Sequence, residues 1–230
     1  MSFLGVFLEL LQDRKAFLAE IHDKVGLKTK ISALLMGSFL CFGVYGAIIG
    51  AFSSPQQALA SAIKLPALYL LTLVVCLPAL YIFNVLFGSV KSIAQHFTYV
   101  LSTASVIALL LCGFAPVTLF FLITISPDKD YSFFLLLNVA IFTLTGIFGV
   151  SFLYQAMRPD ALETDINVKL RTKILRLWLA LYGFVGSQLG WTLRPFFGSP
   201  SESFEWFRPR SGNFLGGVWT AITNLMMGAG

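Results

Sequence analysis

Four or five apolar stretches, each long enough to cross a bilayer, carry no Asp, Glu, Lys or Arg in their central parts. A hydrocarbon core about 30 Å thick takes about 20 helical residues. Lipid offers no partner for backbone N–H and C=O groups, so such stretches fold as helices. The pattern therefore dictates an all-α polytopic transmembrane helix bundle. It also narrows the chemistry. Ion pumps, proton-coupled carriers and intramembrane proteases keep an ionisable group at depth, where it is costly and therefore functional.

The apolar stretches place spans at 31–52, 65–87, 99–125, 132–157 and 177–193. The last is the shortest, and a re-entrant or tilted course is open for it. Three segments then follow: an N-terminal region 1–30, a bundle 31–193 and a tail 194–230. The chain has 230 residues, of which 57% are hydrophobic and 12% charged. Soluble domains carry about 25% charged residues. The net charge of +5 reads as Lys and Arg on the cytoplasmic side and not as a nucleic-acid partner. Cys41, Cys76 and Cys112 all lie in apolar runs and read as small buried hydrophobes. The acids Glu9, Asp13, Glu20 and Asp23 speak against a cleavable signal peptide, so the first span is expected to act as an uncleaved anchor.

Residues 1–30 have the spacing of an amphipathic helix. Phe3, Phe7, Leu10, Leu11, Phe17, Leu18, Ile21 and Val25 recur at intervals of three and four, with charged residues between them. Such a helix can lie in the membrane interface, pack on its own bundle, or dock another subunit; Phe3, Phe7 and Leu11 are the partner-binding candidates. Ser53-Ser54-Pro55 breaks the first span. Residues 56–63 read as a short loop or interfacial helix, and Pro66 as a helix start. Pro78 and Pro116 are expected to kink the second and third spans. Asp128 lies in a turn, and 158–176 is a charged loop. Asn213 reads as the cap of a last, interfacial helix in which Leu215, Val218, Trp219, Ile222, Leu225 and Met226 share a face.

Small residues recur at four-residue spacing in two spans: Gly46 with Gly50, and Gly186 with Gly190. Such faces let helices approach closely. Asn84, Asn138, Gln155 and Gln188 are the conspicuous polar groups within spans. Interhelical hydrogen bonds are the first reading for them, and a substrate path the second.

With the N-terminus cytoplasmic and five spans, eleven Lys and Arg fall on the cytoplasmic side and five on the other; with a re-entrant fifth segment the tail returns to the cytoplasm and the split is fourteen against two. This is the asymmetry that sets orientation. A bacterial inner membrane is the expected location.

The stretch 79–116 resembles the Yip-type (Ypt-interacting) family of five-span membrane proteins. The likeness rests on an apolar span ending in Leu86-Phe87-Gly88-Ser89, a polar link Val90-Lys91-Ser92-Ile93-Ala94-Gln95, and a Tyr99-led span with Ser, Thr and Pro116. The resemblance implies five spans with a cytoplasmic N-terminus. In eukaryotic members it implies trafficking and small-GTPase binding. The tail from Arg194 onward departs from that pattern.

No enzyme motif is expected to operate. His22 and His96 have no ligand neighbours at helical spacing, and no phosphate loop, nucleophile elbow or zinc signature occurs. No cofactor or metal is expected. Asp160, Glu163 and Asp165 lie among five bases and read as a solvated face. The functional candidate is the aromatic, Arg-rich tail: Trp206, Phe207, Arg208, Arg210 and Trp219. Aromatics with Arg suit both the membrane interface and protein–protein hot spots. The expected function is a non-enzymatic structural, scaffold or assembly subunit binding other integral membrane proteins within the lipid bilayer. The alternatives are a channel for a neutral solute along Asn84, Ser102, Thr103, Ser105, Asn138 and Gln155, or a Yip-type trafficking protein.

Overall fold

The computed structural model describes residues 3–86, 91–125, 130–157, 166–198, 204–207, 212 and 214–226. Within them the chain is helical, in the order α1 (Phe3–Gln12), α2 (Arg14–His22), α3 (Leu27–Gly50), α4 (Pro55–Leu86), α5 (Ile93–Thr124), α6 (Tyr131–Met157), α7 (Ile166–Thr192) and α8 (Phe214–Met226). Four helices, α3 to α6, are long and apolar enough to cross a membrane. The protein is a membrane-embedded helical bundle.

Several boundaries differ from the sequence expectation. The N-terminal region is two helices, because Asp13 ends α1 and caps α2 by accepting from the Ala16 N–H at 3.0 Å. Residues 56–63 are neither loop nor separate helix. They are the first turns of α4, which opens at Pro55, where a missing N–H costs nothing. Pro66 is therefore interior, and the helix runs on through it and Pro78. At 32 residues, α4 and α5 are each about 48 Å long, more than the hydrocarbon layer is thick. The second half of the charged 158–176 segment is helical and forms the start of α7. The turn at 126–129 and Asn213 lie outside the described residues.

α3 packs against α4 and α5, α5 against α6, and α7 against α4. The close α3–α4 contact comes from the Gly46/Gly50 face. A Cβ on Gly46 would overlap the Ser61 carbonyl, whose carbon lies 2.8 Å from it. One on Gly50 would lie 2.8 Å from the Ala58 Cα. Gly149 does the same job between α6 and α5, where Ile107 fills the space a side chain would take. Gly186 and Gly190 face Thr72 and Leu68 at 3.6 and 3.8 Å, which is ordinary contact. That pair tolerates a methyl group; the first does not.

α7 runs antiparallel along most of α4. The Trp178 indole donates to the Cys76 carbonyl at 3.1 Å. Gly186 then meets Thr72, Gly190 meets Leu68, and Pro195 reaches Gln57 and Lys64. α7 thus lies beside α4 from Cys76 toward Gln57, although it is not one of the four described helices long and apolar enough to cross a membrane.

Polar side chains inside the bundle are largely spent on neighbours. Thr98, Ser102, Thr103 and Ser105 each donate to the carbonyl one turn back. Asn84, a packing candidate, donates to its own helix at Leu80, 2.8 Å away. Asn138 is the interhelical one. It is fully buried, and its Oδ1 accepts from the Tyr45 hydroxyl at 2.7 Å. The same hydroxyl lies 3.1 Å from the Thr118 Oγ1. This ties α3, α5 and α6 together, and Ser38 with Ser105 adds a second α3–α5 bond at 2.7 Å. Each such bond contributes about 0.6–2 kcal/mol.

Candidate functional site: the two ends of the bundle

At the N-terminal end the chain covers itself. Val6, Phe7 and Leu10 of α1 and Phe17 and Ile21 of α2 are buried in one core with α3, α5, α6 and α7. Lys30, with a fully buried side chain, bridges Glu9 at 3.1 Å and Glu20 at 2.8 Å. Its Nζ also lies 4.4 Å from the Phe17 ring centre. Gln95, whose own side chain completes a capping box with Ser92, donates to the Ile21 and His22 carbonyls at the end of α2. Arg14 donates to the Gln155 Oε1 at 2.5 Å and lies over Phe152. Phe7, a candidate for partner binding, is only 8% exposed and belongs to the protein's own core. Leu11 remains outward-facing. The Phe3 side chain lies outside the described residues.

At the other end the tail folds back over α4. Gln57, Ser61 and Lys64 share one face, at i, i+4 and i+7. Gln57 donates to the Pro195 carbonyl at 2.8 Å and Ser61 to that of Phe196 at 2.5 Å. Lys64 donates to the carbonyls of Pro195, at 3.2 Å, and Trp206. Its Nζ lies 5.9 and 5.0 Å from the Trp206 and Phe207 ring centres. Gly198, at φ 69°, turns the strap where a side chain would strike Ser53. Phe197 meets Phe134 edge-on, and Phe134 stacks on Phe52.

Lys64 is a cation held by carbonyl dipoles and ring faces, with no ion pair among the described residues. It is 4% exposed. The chain thus spends charge-assisted hydrogen bonds, about 1.5–3 kcal/mol each, on fixing its tail. Lys64→Met keeps the stem but leaves the Pro195 and Trp206 carbonyls without that donor. The mobility of a spin label at position 205 is expected to rise clearly, with one on α5 unchanged. Unchanged mobility at 205 would show that the lysine does not fix the strap.

The aromatic groups of this strap still point outward. Trp206 is 49% and Phe207 59% exposed. α8 packs on α6 and α7, with Trp191 seated against Gly217 and its indole donating to the Gly212 carbonyl at 3.1 Å. Leu215, Trp219 and Met226 of α8 are turned away from the protein, Trp219 being 68% exposed. Arg208 and Arg210 lie outside the described residues. The Gln57–Ser61–Lys64 set was not picked out from sequence. Its signal was three polar residues on one helical face just before an apolar run, obscured by taking 56–63 as separate from the span.

Among the described residues, no three His, Cys, Asp or Glu side chains come together as a metal site would need. Fold and ends together define the class: a polytopic helical membrane protein closed by its own termini. No family model matches the chain, and no curated protein or solved structure matches it.

Proposed function

We propose that the protein is a non-enzymatic integral membrane subunit with a structural or assembly role. It would bind another integral membrane protein through the aromatic end formed by Trp206, Phe207 and the outer face of α8. The observation that carries this reading is the contrast between the two ends. Val6, Phe7 and Leu10 are buried in the protein's own core, with the aliphatic Leu8 and Leu11 outward, while the aromatic side chains of Trp206 (whose carbonyl accepts from Lys64), Phe207 and Trp219 are all offered outward. Rigid, presented aromatics are what hot spots use. In this reading the membrane is a bacterial inner membrane, and a cytoplasmic N-terminus, which the Lys and Arg bias supports, would leave this surface on the far side if α7 crosses.

A neutral-solute path has less support, because Asn84, Ser102, Thr103 and Ser105 each donate to their own helix. A trafficking role rests on the 79–116 resemblance alone.

The test is site-specific photocrosslinking in the native membrane. A crosslinker at 206, 207 or 219 should yield one discrete membrane-protein adduct, and one at Val75 should not. Trp206→Ala with Phe207→Ala should reduce recovery of that partner at least tenfold after mild solubilisation. Lipid adducts alone at all three positions would overturn the proposal.

A further inference from the structure

A shallow, open cavity of about 460 Å³ lies where the α2–α3 turn meets the start of α5. Lys24 and Lys28 line it, and Leu27, Ile31 and Ala94 form an apolar wall. We propose that this cavity holds the head of an anionic phospholipid, with phosphate against the two lysines and the first acyl carbons along the wall.

Three observations support this. First, the two lysines are available. Both are exposed, and neither forms an ion pair among the described residues. The nearby carboxylates of Glu9 and Glu20 are committed to Lys30, and Asp23, whose backbone N–H closes α2, does not line the cavity. Second, the depth is right. The charge-free part of α3 begins just after Lys30, and α5, like α3 long and apolar enough to cross a membrane, begins beside it, which sets the lysines at the edge of the apolar belt, where headgroups would lie. Third, the lining matches a lipid's two chemistries: Lys24 and Lys28 supply cations, and Leu27, Ile31 and Ala94 supply apolar surface. A free phosphate would use the first and ignore the second.

The backbone supplies a clean test. Lys24 sits at φ 62°, a left-handed conformation that glycine adopts without strain. Lys24→Gly therefore removes the charge without disturbing the turn. The full chain would be examined by native mass spectrometry from nanodiscs containing phosphatidylglycerol and phosphatidylcholine. Wild type should retain one phosphatidylglycerol in preference to phosphatidylcholine. Lys24→Gly with Lys28→Gln should weaken that preference on the order of tenfold, since each basic residue at the surface adds attraction for anionic lipid. Lys15→Gln, on the exposed side of α2, should leave it intact, and all three proteins should melt alike. Equal retention of the two lipids, or an unaltered preference in the double variant, would overturn the proposal. So would displacement of the lipid by millimolar inorganic phosphate, which would assign the site to the free anion.

Discussion

Gly46→Ala and Gly50→Ala should each destabilise the bundle by about 3 kcal/mol, the upper part of the range for overpacking, and Gly46→Leu should not fold. The obstacle is backbone. The atoms a methyl group would meet at Gly46 are the Ser61 carbonyl and the Ala62 Cα; at Gly50 they are the Gln57 carbonyl and the Ala58 Cα. A side chain can change rotamer, but the backbone of α4 can move only by parting the whole α3–α4 interface. That interface also carries Tyr45 toward Asn138 and positions Gln57 and Ser61 for the tail. The two substitutions strain the same contact, so their effects should not add. Gly113, Gly146 and Gly183 provide the control, since a Cβ there meets nothing within 4 Å. Alanine at those sites should be neutral or slightly stabilising, glycine being the poorer helix former. Denaturation in mixed micelles measures both sets. A Gly46→Ala protein that melts with the wild type would remove the close approach from the account of stability.

The Gly46/Gly50 face was legible in the sequence because four-residue spacing of small residues has one geometric meaning on a helix. The spans were legible for a similar reason: an uncharged run of this length has few alternatives in lipid. Partner choice was not. Gly186 and Gly190 have the same spacing as Gly46 and Gly50, yet face only ordinary contacts, because side-chain size on the opposing helix decides how closely two helices approach. Asn84 and Asn138 look alike in sequence, but Asn138 meets Tyr45 and Asn84 turns back on its own helix. Tyr45 itself gave no signal among so many aromatics. The tail was legible as a surface of aromatics and Arg. Its attachment was not, since strap carbonyls about 130 residues from their Gln57, Ser61 and Lys64 donors leave no periodic trace. Lys30 was counted only as a cytoplasmic charge, because burial of a lysine depends on two acids from other helices.

That lysine sets the second large expectation. Lys30→Met should loosen α1 and α2 from the bundle while leaving the spans folded. Apolar contacts alone favour docking: Val6, Phe7, Leu10, Phe17 and Ile21 are all buried, and each contributes about 1.5–3 kcal/mol. Removing Lys30 does not abolish that sum. It leaves two carboxylates facing each other across an apolar gap beside Phe17, with no cation between them. Breaking a buried pair costs about 3–5 kcal/mol, and the partial exposure of Glu9 and Glu20, at 16% and 34%, puts the expectation at about 3. Amide exchange in α1 and α2 should then accelerate on the order of 100-fold, while α4 and α5 keep their protection. The triple change Lys30→Met, Glu9→Gln and Glu20→Gln should recover most of the loss, since replacing a whole buried ionic cluster is often nearly neutral. The recovery distinguishes a stranded pair of charges from a cavity, because the triple variant retains any cavity and removes the charges. If the triple variant exchanged as fast as Lys30→Met, packing of the lysine stem against Phe17, and not its charge, would be what holds the N-terminal helices down.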